Sequence, residues 1–62
     1  MNEQIWKSRF TARLSALFRS MGTSSDFALA DAEAHADDHH PRRIDASPEH
    51  EADVVFRSLG DG

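Results

Sequence analysis

Sixty-two residues, 39% of them hydrophobic, with a formal net charge of −4 and no cysteine, place the chain near the lower size limit for a single hydrophobic core. They exclude a second domain, a disulfide framework and a thiolate zinc site. The longest apolar run, Phe27 to Ala30, is four residues, too short to cross a membrane, and no apolar leader precedes the first charges, so the expected location is the cytoplasm.

Charge is unevenly spread. Residues 1–22 carry a net +3 through Lys7, Arg9, Arg13 and Arg19 against Glu3. Residues 23–40 carry −5 with no Lys or Arg, and residues 41–62 carry −2. A basic first segment is thus followed by an acidic middle and tail.

In the first segment, Trp6, Phe10, Leu14, Leu17 and Met21 recur at spacings that form one stripe along a helix, widened by Phe18. Gly22 supplies a residue able to take positive φ after the last turn. A helix over about 3–21 is expected. Next, Thr23 and Asp26 have capping-box spacing, with Asp26 at the positive end of the helix dipole. A second helix over 24–38 should end before Pro41, whose ring disfavours helical geometry at His40. Its alanines at 28, 30, 32, 34 and 36 alternate like a strand, but alanine strongly favours helix. Ser47 and Pro48 give an N-cap followed by a first-turn proline. Ala52, Val55, Phe56 and Leu59 follow at helical spacing up to Gly60, giving a third helix over 48–59. The expected fold is all-α, a three-helix mini-bundle forming one domain over 1–62, with Ile44 of the connector plugging the core.

Several functions can be weighed on this scaffold. A helix, a glycine turn and a helix suggest DNA reading, but the second helix carries five acidic residues and no cation against a polyanion. Direct nucleic-acid binding is therefore not expected. The first helix has the pattern of a membrane-surface helix, yet so small a domain needs that stripe for its core. No phosphate-cradling loop, serine elbow or cysteine nucleophile is present, so no enzyme and no cofactor are expected. His35 and His39, four residues apart and flanked by Asp31 and Asp38, could hold zinc or nickel. The fixed-spacing partner on a second helix that makes such sites specific is missing, so a solvated helix end is preferred and no metal is assigned.

The acidic surface remains. At about 100° per residue, Asp26, Asp31, Glu33, Asp37 and Asp38 share a broad arc of the second helix opposite Ala28, Leu29, Ala32 and Ala36. On the third, Glu49, Glu51 and Asp53 are expected outside. Glu33 with Asp37 and Glu49 with Asp53 are like-charge pairs at i,i+4, which weaken an isolated helix by a few tenths of a kcal/mol. A basic partner would relieve them. The candidate partner-binding residues are Asp31, Glu33, Asp37, Asp38, Glu49 and Asp53, and the candidate partner is a basic protein surface, including one built for nucleic-acid phosphates.

The stretch "WKSRFTARLSALFRSMG", a capped Ala-rich acidic helix and then "IDASPEHEAD" resemble the small acidic helical proteins of bacteriophages and other mobile elements. Some of these are anti-CRISPR proteins, several of which occupy the nucleic-acid path of their target. The resemblance implies a non-enzymatic inhibitor acting in the host cytoplasm on a CRISPR effector complex. Two alternatives stand beside it: a His-rich metal-binding helical protein, and a structural homodimer through leftover apolar surface such as Trp6, Phe18 or Val54. Free histidines titrate near pH 6.5, so protonating all four would bring the formal charge from −4 to 0. Affinity for a basic partner is then expected to weaken on acidification.

Overall fold

The computed structural model describes residues 2–43 and 45–60, without the side chains of residues 39–43. It is all-α: α1 spans Glu3–Ser20, α2 Ser25–Arg43 and α3 Pro48–Gly60. Ile44, expected to plug the core, lies outside the described residues, as does the side chain of His39.

Local chemistry sets the boundaries. The Asn2 side-chain oxygen accepts from the Ile5 amide at 2.8 Å, capping α1. At the other end Gly22, at φ +95°, closes a Schellman turn: its amide donates to Arg19 O at 3.0 Å and the Thr23 amide to Phe18 O at 3.2 Å. That second bond corrects the expected capping box. The Thr23 amide is already spent on α1, so it is not available to Asp26. The first helical bond of α2 instead runs from Ala28 N to Ser24 O at 2.9 Å, and the helix starts one residue late. In α3 the expected start holds. Ser47 Oγ accepts from the His50 amide at 3.4 Å, and Pro48 takes the first helical position.

The larger correction is at the end of α2, which continues five residues past the expected stop and runs through Pro41 to Arg43. Proline so close to a helix end removes one backbone bond, to Asp37 O, and disfavours rather than forbids helical geometry before it. The helix absorbs that cost.

α1 is the central element. The start of α1 meets the end of α2, with Lys7 against Asp37, so these two helices are antiparallel. Arg9 against Glu49 and Arg13 against Asp53 make α3 parallel to α1. Both outer helices pack on α1 and scarcely on each other. The core joins Trp6, Phe10 and Leu14 of α1 to Ala32 and Ala36 of α2 and to Ala52 and Val55 of α3, with Phe18 and Phe56 packed against it. Trp6 and Phe10 stack at 5.3 Å with 14° between their planes. The Trp6 indole N–H donates to Ala46 O at 2.9 Å, which fixes the connector ahead of α3.

Large side chains therefore come from α1 and small ones from α2, where Ala28, Ala32 and Ala36 are all buried. A larger residue there has no room. Ala32→Leu is expected to cost about 1–3 kcal/mol through overpacking, which for a domain of this size lowers the thermal midpoint by several degrees, measurable by circular dichroism. An unchanged midpoint would mean that α2 does not pack as closely as its alanines indicate.

Not every apolar residue goes inside. Leu29 and Leu59, expected inward, and Met21, expected on the α1 stripe, are exposed, as are Ile5, Val54 and Phe27, the last at 72%. Leu59 lies in the last turn of α3 and Met21 beyond the end of α1, where no facing helix covers them. Trp6 is buried and Phe18 is half-buried against the core. Of the three residues considered for a dimer surface, Val54 alone is exposed.

Candidate protein interface

At about 100° per residue, Lys7 borders one side of the α1 apolar stripe, and Arg9 and Arg13 border the other. Each border meets an acidic helix. Lys7 Nζ is 2.9 Å from Asp37 Oδ1. The Arg9 guanidinium grips Glu49 with two bonds, Nε to Oε2 at 2.8 Å and Nη2 to Oε1 at 2.7 Å. Arg13 Nε donates to Asp53 Oδ1 at 2.8 Å. The i,i+4 pair Arg9 and Arg13 thus faces the i,i+4 pair Glu49 and Asp53 in register, a two-rung seam between parallel helices.

This geometry changes the meaning of the like-charge pairs. The cations that relieve Glu49 and Asp53, and the Asp37 end of the other pair, belong to α1. The expected arrangement of eight carboxylates displayed together on α2 and α3 is corrected on the same ground. Three of them are ion-paired to α1. A fourth, Glu51, is buried, because it precedes Val55 by one turn on the edge that faces inward. The spacing of Arg9 and Arg13, identical to that of Glu49 and Asp53, was the available signal for the seam. It carries weight only once the two helices are known to run parallel.

The seam's ionisation follows its contacts. The hydrogen bond from Arg9 holds the Glu49 carboxyl below its usual range, opposed by partial desolvation. The bond from Arg13 does the same for Asp53. On the cationic side, the bond to Asp37 raises Lys7, and the bond to Asp53 raises Arg13. A carboxylate whose pKa is lowered by folding stabilises the fold above its unfolded pKa, and that contribution disappears as pH falls through the folded value. Thermal stability is therefore expected to fall as pH drops from about 5 to about 3. In E49Q/D53N the fall should be smaller and the midpoint at neutral pH lower. Equal acid sensitivity in the two proteins would remove the seam from the account. Lys7 works in the opposite direction: its contribution is present below the ordinary lysine value and is lost as pH rises through the raised one.

Of the six candidate residues, Asp37, Glu49 and Asp53 are thus held by α1. Asp31, Glu33 and Asp38 are exposed and form no ion pair among the described residues. Asp26, also exposed, joins them. All four lie on α2. On the helical wheel Asp31 and Asp38 fall within about 20° of each other on the edge toward α3, while Glu33 falls toward the opposite edge. His35 is half-buried, with its ring centroid 6.5 Å from that of Phe18, so it is turned into the bundle rather than out with the carboxylates. Among the described residues no group of three or more His, Asp or Glu side chains converges as a metal site would.

Two grooves flank α2. The one shared with α1 has a volume of about 440 Å³ and is lined by small and polar residues, including Ser8, Thr11 and Ala12, together with Leu29, Lys7 and Glu33. The one between α2 and α3 is smaller, about 290 Å³, with the apolar Val54, Val55 and Leu59 beside His35, Asp38 and Ser58. No helix among the described residues is long and apolar enough to cross a membrane. No family model matches the chain, and no curated protein or solved structure is detectably similar to it.

Proposed function

We propose that the protein is a non-enzymatic interaction module whose α2 carboxylates, Asp31, Glu33 and Asp38 with Asp26, bind a basic surface on a protein partner. The carrying observation is the division of the acidic residues. Asp37, Glu49 and Asp53 are spent on α1, whereas the α2 set stays exposed and, among the described residues, without an ion-pair partner, the two arginines of α2 standing together at its C-terminal end. Like charges held this way gain from an external Lys or Arg cluster, and the gain weakens with salt. The proposed inhibitor role, in which the partner surface is the nucleic-acid path of a defence complex such as a CRISPR effector, rests on the resemblance to phage-borne acidic helical proteins and on the same electrostatics.

A pull-down from host lysate tests the reading. The wild-type chain should retain a basic protein at low salt and release it at high salt, and D31K/E33K/D38K should retain none while keeping its helical circular dichroism. Retention by the triple variant would overturn the proposal.

A further inference from the structure

We propose that the groove between α2 and α3 docks a short cationic amphipathic helix of the partner, seating an apolar side chain on Val54, Val55 and Leu59 and a Lys or Arg on Asp38. The proposal rests on the acidic-face reading and adds to it the shape of what binds.

The groove exists because α2 and α3 each pack on α1 and scarcely on each other. Phe18, in ring contact with His35 on one side and Phe56 on the other, holds the two helices at that separation. Val54 and Leu59, large and apolar, remain 43% and 51% exposed along it. Its volume, about 290 Å³, is at the lower limit for small-molecule sites, so it suits one or two side chains of a helix laid along the groove.

Charge selects the occupant. Asp38 lines the groove, and Asp31 follows on the same edge of α2; neither has an ion-pair partner among the described residues. A neutral or anionic apolar ligand would strip water from Asp38 without replacing its hydrogen bonds, a costly exchange. A helix with a cation beside its apolar anchor satisfies both walls. A second copy of this chain has no such segment. Among its helices α1 alone has a net positive charge, and the α1 apolar stripe is spent on the core.

The test uses a fluorescein-labelled Lys/Leu amphipathic peptide of about four helical turns and an equally charged control with every Leu replaced by Ser. Anisotropy titrations with the full chain should show the Leu peptide binding at least about tenfold tighter than the control. V54S/L59S should remove that advantage, D31N/D38N should weaken both peptides, and Leu29→Ser, in the other groove, should change neither. Equal affinity for the two peptides overturns the groove and leaves the acidic face standing. A Leu peptide insensitive to D31N/D38N overturns the role of Asp38 and the acidic face together. Failure of the Leu peptide to bind at all overturns the docking proposal outright.

Discussion

Phe10→Ala should leave the chain largely unfolded at room temperature. Phe10 is fully buried at the centre of α1, stacked on Trp6 and surrounded by alanines from the flanking helices. Truncating a buried Phe costs about 3–5 kcal/mol, including the lost transfer energy, the cavity and the aromatic contact. A domain of this size has a total stability of about 3–9 kcal/mol. Alanines on α2 and α3 cannot collapse into the space, so the cost should fall at the upper end. Urea titration followed by circular dichroism checks this directly. The single tryptophan gives an independent readout, since Trp6 is buried and its emission should shift to the red as the core opens. Phe10→Leu should retain a cooperative transition. A sharp transition in Phe10→Ala with unshifted Trp6 emission would mean that the core is not organised around α1.

The second large effect concerns charge. E49K/D53K places two lysines opposite Arg9 and Arg13, turning a two-rung attractive seam into a four-cation cluster between parallel helices. Each original bridge is part-exposed, and exposed pairs individually contribute little. Repulsion at both rungs acts together, however, and it acts where α3 must dock. E49K/D53K should have a markedly lower thermal midpoint, partly restored by salt through screening and restored further when R9E/R13E is added. D31K/E33K/D38K, which leaves both rungs of the seam intact, should melt closer to wild type. Similar melting of the two variants would remove the distinction between acidic residues that build the fold and acidic residues that face outward.

How far the sequence revealed this molecule depends on the range of the interactions. Helix starts were readable where capping is local, as at Ser47 and Pro48. They are ambiguous where two motifs compete for one amide, as at Thr23, which closes the turn after α1. The end of α2 lies beyond the expected one because a proline near a helix end costs only one backbone bond, so Pro41 does not stop the helix. Trp6, Phe10 and Leu14 followed from spacing alone. The exposure of Leu29 and Leu59 did not, because it depends on which flank of each helix the others leave uncovered. The acidic residues were all visible, but their division was not. Pairing Asp37, Glu49 and Asp53 with α1 requires helix directions and a register thirty to forty residues apart in sequence, whereas Asp31, Glu33 and Asp38 are what remains without an ion pair among the described residues.

The acidic face of α2 is tested most directly by titrating the captured basic partner against wild type and D31K/E33K/D38K at low and moderate salt. Wild-type affinity should fall by more than about tenfold between about 50 and 200 mM salt, as expected when the partner surface is one built for nucleic acid, and the triple variant should show no saturable binding at either. Binding by the triple variant that matches wild type at both salt concentrations would contradict the account.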